Sequence, residues 1–296
     1  MPSISVILPT YGKPLFLSQA VESVQRQTCS DWELFVVDDN DPDTAARRET
    51  EALMARFAGD GRIQYLRHPR NLNGAVARNT GLAQASGEFA AFLDSDDEYL
   101  PQRFARCLEA MARAEESVAG VYTGCEFRRG GKTYHVETSV KPGNFLRETL
   151  ACTFMFCTGS NLFIRKRVAD ELHGFDGAFL RHQDYEFLAR LFRRNALTAI
   201  PEVLVIKNNE NFNVPNVEKM IAIKRQYLDK FAEDIAALPK AEQNLIFHSQ
   251  WLAVAEAAQR GGDAATAREY YKKAAEFGGL TGKERLRRLA FQLLKR

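Results

Sequence analysis

The first hundred residues alternate short apolar runs with amphipathic stretches, and this alternation limits the fold more than any other feature. Residues 4–8 form an apolar run, interrupted only by Ser5, that ends at Pro9, and Pro14 stands where a helix would begin. The further predicted strands are 33–37, 62–66 and 89–93, and the further predicted helices are 44–57 and 75–85. Strands that alternate with helices predict an α/β fold, with a mostly parallel central sheet and helices on both faces.

Beyond residue 100 the pattern is mixed and then almost wholly helical. The predicted elements are a helix at 101–114, a strand at 118–125, a hairpin turn at 128–132 with a strand at 133–137, a strand at 161–164, and helices at 167–172 and 183–194. From residue 217 we expect nearly continuous helix, including two helices around Gly261-Gly262-Asp263. This pair resembles one helix-turn-helix unit of a tetratricopeptide array. A single unit leaves one face open, so we expect it to pack against the main domain or a partner.

Composition excludes several classes of function. A chain of 296 residues can form one large or two modest domains, and a net charge of +2 gives no electrostatic case for nucleic-acid binding. The five cysteines lack CxxC spacing, so we expect reduced packing residues; a Cys152–Cys157 metal or redox pair is the alternative. No run suits a signal peptide or a membrane span. We therefore expect a cytoplasmic protein whose membrane contact, if it has any, is peripheral.

An acidic turn follows the predicted strand at 89–93. It contains Asp94, Ser95, Asp96 and Asp97. Carboxylates crowded together are stabilised by a cation, and hard oxygen ligands suit Mg²⁺ or Mn²⁺, which complete their shell with substrate phosphates. The alternative is a solvated acidic turn that caps the helix starting near Pro101.

Polar residues also follow two other predicted strands. Asp38 and Asp39 end the second strand, and Thr10-Tyr11-Gly12 follows the first. The carboxyl ends of parallel strands meet at one edge of a sheet, and ligands bind at that edge. Together with the acidic turn, these residues predict a site for a metal-chelated diphosphate.

Three stretches resemble the family-2 glycosyltransferases, which have the GT-A fold. They are SVILPTYGKP, NLNGAVARNTGLAQASGEFAAFLDSDD and GSNLFIRKRVADELHGFDGAFLRHQDYEFLARL, and together they cover roughly residues 3–195. The resemblance is to bacterial enzymes of cell-surface polysaccharide and lipopolysaccharide synthesis. It implies transfer of a sugar from a nucleoside-diphosphate sugar to a glycan or lipid-linked acceptor, with uracil as the usual base and guanine or thymine as open alternatives. It also implies a Mn²⁺ or Mg²⁺ cofactor and inversion of the anomeric carbon.

The resemblance also implies roles for the residues at the strand ends. Asp96 would be the main metal ligand, Asp94 would contact the ribose or assist the metal, and Asp97 would be an auxiliary carboxylate. Asp39, with Asp38 beside it, would pair with the base edge of the nucleotide. The residues expected to complete the nucleotide-sugar site are Pro9, Thr10, Tyr11 and Ser95.

Arg78 follows the Gly74 turn at helical spacing. It could reach the diphosphate or the acidic turn; the alternative is an arginine that only ties its helix to the acidic strand end. Asn71 and Asn73 are interpreted as turn formers.

Asp184 matches the carboxylate that removes the proton of the acceptor hydroxyl in this family. The usual preceding glutamate is replaced by Gln183. A lone aspartate before a helix is also a common N-cap, which is the alternative. Gly159, Ser160 and Asn161 correspond to a segment on the acceptor side, and His182 is a further candidate, although a surface role is the commoner one for such a histidine.

The chain departs from the family pattern at two turns. Gly12 stands where an Asn is common, and Asn40-Asp41 replaces a small pair after Asp39, which puts the shape of the nucleoside pocket in question. A Gln-x-x-Arg-Trp motif is missing, as is a membrane span, and this argues against a processive synthase. We expect one sugar to be added per encounter.

The expected organisation has three parts: a nucleotide-sugar-binding half (1–100), an acceptor-binding half (101–215) and a helical extension (216–296). The extension ends in a basic amphipathic segment, 283–296, that could lie on an anionic membrane; the alternative is a solvated helix packed on its neighbours. Homo-oligomerisation is left open. The competing functions are a sugar-nucleotide nucleotidyltransferase and a non-catalytic scaffold.

Overall fold

The computed structural model describes residues 2–157, 159–209 and 216–279. The chain divides into two compact units, of which the first comprises Met1–Asn144 and Met155–Asn211, and the second Phe145–Phe154 and Phe212–Arg296. The predicted basic tail at 283–296 lies outside the described residues. The division at residue 100 into a donor half and an acceptor half concerns function and stays a prediction.

The first unit is built on one sheet. Its strands are β1 (Ile4–Thr10), β2 (Trp32–Asp38), β3 (Ile63–Arg67), β4 (Phe89–Phe92), β5 (Glu98–Tyr99), β6 (Val118–Arg129), β7 (Lys132–Glu137), β8 (Phe163–Arg165) and β9 (Ala196–Asn208). Its helices are α1 (Leu17–Gln25), α2 (Ala45–Met54), α3 (Gly74–Gln84), α4 (Arg103–Ala112), α6 (Lys166–Glu171) and α7 (Gln183–Phe192). The second unit contains α5 (Leu146–Leu150), α8 (Val217–Lys230), α9 (Ala232–Ala236), α10 (Lys240–Arg260) and α11 (Ala264–Phe277).

The strand order is β3-β2-β1-β4-β8-β6-β9-β5, with β7 paired to β6. The strands β3, β2, β1 and β4 are parallel. Strand β8 runs antiparallel between β4 and β6, whereas β9 is parallel to β6 and antiparallel to β5. The predicted α/β fold is confirmed.

Helices cover both faces of this sheet because β1 is apolar on both sides. Val6 belongs to the same buried cluster as Leu17 and Val21 of α1. Ile7 faces the other way and packs on α3, where a Cβ added to Gly81 would lie 2.6 Å from Ile7 Cγ2. Successive strand residues point to opposite faces, so a continuous apolar run is typical of a strand covered on both.

The register of the parallel strands brings their polar ends together. Thr10 pairs with Asp38 across β1 and β2, and the Asp39 N–H donates to the Thr10 carbonyl at 2.9 Å. On the other side of β1, the Leu93 N–H donates to the Ile7 carbonyl at 2.9 Å. The residues that follow β1, β2 and β4 therefore leave the sheet at one edge.

Sequence analysis did not predict β9, which is the longest strand described. Pro201 interrupts its apolar pattern, and a proline inside a run argues against a central strand. In the structure the pairing of β6 with β9 shifts between Ile200 and Val203, so the proline falls in an irregular stretch that needs no ladder hydrogen bond. The short elements β5 and α5 were also not predicted.

The second unit contains the predicted helix pair. Helix α10 ends at Arg260 and α11 begins after Asp263, whose side chain accepts the Thr266 N–H at 3.0 Å. Helix α10 also meets α8 and α5, and the Gln250 amide donates to the Leu150 carbonyl at 2.6 Å. Part of the face left open by the pair is therefore covered within its own unit. Within the described residues, no helix is both long and apolar enough to cross a membrane.

The close approach of β6 and β8 at Gly120 gives a prediction on stability. A Cβ at this position would lie 2.8 Å from Ile164 Cα and would also overlap the Phe163 carbonyl. Since backbone cannot yield as a flexible side chain does, we expect Gly120→Ala to lower the free energy of unfolding by about 1–3 kcal/mol in urea titrations. The control is Gly59→Ala, where the added methyl meets open space. Equal stability of the two variants would contradict the prediction.

Candidate active site

The acidic turn between β4 and β5 gathers three carboxylates. Asp94, Asp96 and Asp97 each offer an oxygen, and these oxygens all lie within 4.8 Å of one another. The turn is closed by the Asp97 N–H, which donates to the Asp94 carbonyl at 3.0 Å. Asp94 and Asp96 are partly exposed, whereas Asp97 is fully buried. We call these three residues the acid cluster.

Lys207 of β9 extends its ammonium group into the acid cluster. Its Nζ lies 3.3 Å from Asp97 Oδ1, 3.8 Å from Asp94 Oδ2 and 3.9 Å from Asp96 Oδ1. Sequence analysis missed this residue because β9 itself was not predicted. No local pattern marks it, since its position among the carboxylates depends on the pairing of β9 with β5 and β6.

The crowding perturbs the pKa values of Asp96, Asp97 and Lys207. Burial raises the pKa of Asp97 to about 7, with Asp94 and Asp96 adding to the effect and Lys207 opposing it. Burial likewise raises the pKa of Asp96. Burial alone would lower the pKa of Lys207, but the three carboxylates outweigh it and raise that pKa. The lysine is therefore charged at neutral pH and partly offsets the negative charge of the cluster.

The buried side chain of Ser160 supports the acid cluster. Its hydroxyl donates to Asp97 Oδ2 at 2.6 Å and accepts the Asp94 N–H at 2.9 Å. The next residue, Asn161, is fixed by Thr123 and by the fully buried Arg103, whose NH1 lies 3.2 Å from Asn161 Oδ1. Ser160 and Asn161 are themselves completely buried, so in this structure they support the cluster. Their predicted contact with the acceptor stays a prediction.

Arg78 connects the acid cluster to α7. Its NH2 donates to Asp94 Oδ1 at 2.6 Å, and its NH1 donates to Gln183 Oε1 at 2.9 Å. Asn73 caps α3 through hydrogen bonds to the Ala75 and Val76 amides, as expected of a turn former, and this fixes the helix that carries Arg78. Arg78 therefore ties α3 to the acidic strand end and also lines the pocket, while its predicted contact with a diphosphate stays a prediction.

Asp39 organises the loop before α3. Its Oδ1 accepts from the Leu72 N–H at 2.8 Å and lies 2.7 Å from His68 Nδ1. Its Oδ2 accepts from the Asn71 amide at 2.8 Å and the Asn73 N–H at 2.9 Å. A carboxylate can accept about four hydrogen bonds, so these four contacts occupy the acceptor positions of Asp39. Its predicted contact with a nucleotide base stays a prediction.

Asp38 lies deeper than Asp39. It forms an ion pair with Arg47 at 3.1 Å and accepts from the Tyr65 hydroxyl and from the Asn40 amide at 2.8 Å. These contacts place it beneath the pocket wall as a support for the loop after β2.

The two departures from the family pattern are in contact with each other. The Gly12 N–H donates to Asn40 Oδ1 at 2.8 Å, and Gly12 has a φ of +78°, which suits glycine. The asparagine side chain after β2 therefore holds the turn after β1.

These elements surround an open pocket of about 530 Å³ at the carboxyl ends of β1, β2 and β4. The predicted donor-site and metal-site residues in its wall are Pro9, Thr10, Tyr11, Asp39, Arg78, Asp94, Ser95 and Asp96. Predicted residues outside its wall, within the described part of the chain, are Asp38, Asp97, Gly159, Ser160, Asn161, His182 and Asp184. The wall also contains Gln183, the neighbour of Asp184.

Asp184 is the second residue of α7 and is partly buried. The N-cap position belongs to His182, which has a φ of +58°, so Asp184 is not the cap, although it accepts the Tyr185 N–H at 2.9 Å. A Cβ built on Gly159 would lie 4.0 Å from Asp184 Cβ and 3.9 Å from Arg78 NH2, so the three residues are neighbours. Burial raises the pKa of Asp184, while the Tyr185 amide and Arg78 oppose that rise. A raised pKa suits a proton acceptor that works near neutral pH.

The acid cluster fits a divalent metal. Its oxygen donors are the ligands that Mg²⁺ and Mn²⁺ prefer, and Asp94 and Asp96 reach the pocket with part of their surface exposed. Arg78 stands beside Asp94 as a donor for anionic oxygens. The pocket is therefore suited to an anionic ligand that binds the metal and also carries a polar group.

Comparison with known proteins agrees with this geometry. Residues 5–173 match the family described as glycosyl transferase family 2. The chain is 28% identical over 218 residues to the GalNAc(5)-diNAcBac-PP-undecaprenol beta-1,3-glucosyltransferase of Campylobacter jejuni, covering 67% of this chain and 68% of that protein.

Two solved structures share the fold. S. aureus TarS 1–349 in complex with UDP-GlcNAc has a TM-score of 0.65 at 14% identity, covering 93% of this chain and 90% of that one. The mannosyltransferase PcManGT of Pyrobaculum calidifontis, in complex with GDP-Man and Mn²⁺, has a TM-score of 0.57 at 19% identity, covering 98% and 84%. The predicted GT-A fold with a helical C-terminal part is confirmed.

The two hydrogen bonds of the Ser160 hydroxyl give a prediction on stability. Ser160→Ala removes them from a buried site, and we expect the free energy of unfolding to fall by about 1–3 kcal/mol in urea titrations. Ser18→Ala in α1 is the control, since that hydroxyl donates to Glu22 at a partly exposed position and we expect a change within about 0.5 kcal/mol. A Ser160→Ala variant as stable as the control would show that the serine does not support the cluster.

Proposed function

The chain belongs to glycosyl transferase family 2 and is a glycosyltransferase, and we propose that it transfers one sugar, with inversion, from a UDP-sugar to a lipid-linked glycan. The observation that carries the proposal is the acid cluster at the wall of a pocket formed by three parallel strand ends. In this proposal Asp94 and Asp96 hold Mn²⁺ or Mg²⁺, and the ion neutralises the diphosphate of the donor when it is bound.

The donor site follows from the pocket wall. Arg78 pairs with Asp94 in the pocket wall, and we propose that it also donates to a phosphate oxygen beside the metal. Pro9, Thr10 and Tyr11, at the end of β1, form part of the pocket wall, and the nucleoside is proposed to lie against them. We propose uracil as the preferred base because it is the usual base in the family that the sequence resembles. The same fold carries UDP-GlcNAc in TarS and GDP-Man in PcManGT, so this assignment needs its own test.

The acceptor is proposed to be a glycan attached to a lipid diphosphate. The Campylobacter relative acts, by its name, on a glycan linked through PP to undecaprenol. This acceptor would bring the protein to the inner face of the plasma membrane as a peripheral enzyme of cell-surface glycan synthesis. The proposal does not require a membrane-spanning helix.

Asp184 is proposed as the base. Its carboxylate takes the proton of the acceptor hydroxyl while the hydroxyl oxygen forms a bond to the anomeric carbon. The bond between that carbon and the diphosphate oxygen breaks on the opposite face, so the configuration inverts. Arg78 would stabilise the negative charge that develops on the leaving diphosphate, and a cation held by Asp94 and Asp96 would add to that stabilisation.

A nucleotide panel tests the donor site. We expect UDP with Mn²⁺ to raise the melting temperature of the wild type, because a ligand at about 100 times its Kd stabilises by about 2.7 kcal/mol. The panel is UDP, GDP, TDP and CDP, each with and without Mn²⁺, measured by thermal unfolding. Asp96→Asn should fold and lose the metal-dependent shift. A GDP shift without a UDP shift would overturn the uracil assignment, and the absence of any shift would overturn the donor site.

The variant Asp184→Asn tests the role of Asp184 as the general base. We expect donor binding to be retained and kcat to fall by about 10²–10⁴-fold, the usual contribution of a general base. The carboxylate must be unprotonated to act, so wild-type kcat/KM should fall as pH is lowered through the Asp184 pKa, which burial places above its usual 3.8. The residual activity of the variant should lack this acidic limb. Wild-type turnover in the variant would exclude Asp184 as the base.

A further inference from the structure

In this structure the Lys207 ammonium lies among the carboxylates that could hold a metal. Its Nζ contacts Asp97 at 3.3 Å and lies 3.8 Å from Asp94 Oδ2 and 3.9 Å from Asp96 Oδ1. The carboxylates offered to the metal are therefore the carboxylates that surround the ammonium group.

The ammonium and a divalent cation compete for these oxygens. Two cations placed among the same three carboxylates repel each other, and the partly buried site screens that repulsion weakly. A metal that enters alone must displace the lysine from its ion pairs. A metal that enters with a diphosphate brings in anionic oxygens with which the displaced ammonium can pair.

The backbone beside Lys207 is held independently of the lysine side chain. Asn208, the next residue, is anchored by its N–H to Asp97 Oδ1 at 3.2 Å and by its amide to the Asp96 carbonyl at 2.9 Å. The Lys207 side chain is 19% exposed, and a lysine has a flexible four-carbon stem. We therefore expect side-chain rotation alone to move the charge from the carboxylates toward the pocket.

We propose that Lys207 is a resident counter-ion of the acid cluster that gives way to the metal and then pairs with the donor diphosphate. It is a positioning residue that makes metal binding depend on nucleotide binding. The proposal rests on the proposed function, since it takes the acid cluster to be the metal site and the pocket to hold a nucleoside diphosphate.

The test is a titration with Mn²⁺ followed by electron paramagnetic resonance, first without nucleotide and then with UDP. We expect Lys207→Gln to bind Mn²⁺ alone about tenfold more tightly than the wild type, within the range of couplings between sites. We expect UDP to increase Mn²⁺ affinity strongly in the wild type and only weakly in Lys207→Gln. The matched control Lys207→Arg keeps the charge and should resemble the wild type. A purely structural lysine would change stability and leave the affinity for Mn²⁺ alone unchanged.

A second pair of variants tests the same role of Lys207 if Lys207→Gln fails to fold. Asp97→Asn with Lys207→Gln removes one negative and one positive charge, so the cluster keeps its net charge. This double variant should bind Mn²⁺ alone more tightly than Asp97→Asn. Equal affinity in each pair would overturn the role of Lys207 and leave the proposed donor site intact. Failure of the wild type to bind Mn²⁺ even with UDP or GDP would overturn both the inference and the proposed function.

Discussion

Crowding of three carboxylates into one turn is the constraint on which the rest of the first unit depends. Negative charges this close are held only if positive charge and hydrogen-bond donors surround them. The fold supplies Lys207 from β9, Arg78 from α3 and the Ser160 hydroxyl from the segment before β8. Elements far apart in the chain therefore converge on residues 94–97, three of which line the pocket.

The residues that form and support the pocket lie in two layers. Asp39, Arg78, Asp94 and Asp96 lie in the wall, while Asp38, Asp97 and Ser160 lie behind it with their polar atoms engaged by protein partners. Fixed partners behind the wall hold the carboxylates in place before any ligand arrives. Pre-organisation of this kind favours stabilisation of developing charge on a leaving group, because the protein need not reorganise during the reaction.

Much of the site was predictable because its signals are local. The polar residues after β1, β2 and β4 follow apolar runs directly, and parallel pairing alone brings such strand ends to one edge. The contribution of Lys207 was not predictable, because it depends on a strand with a proline in its middle and on the pairing of that strand with β5, more than a hundred residues earlier. The burial of Ser160 and the full hydrogen-bond capacity of Asp39 were also hidden, since short polar motifs do not indicate which atoms face a ligand and which face the core.

The contact between Gly12 and Asn40 has a consequence for exchanging parts among members of the family. The turn after β1 and the turn after β2 each differ from the common pattern, and the Asn40 side chain spans the gap between them. The shape of each turn therefore depends on the residues of the other. A chimaera that imports the second turn from a relative and keeps the first would lose Asn40, and with it the hydrogen bond that holds Gly12. Both turns have to be transplanted together if the nucleoside pocket is to keep a defined shape.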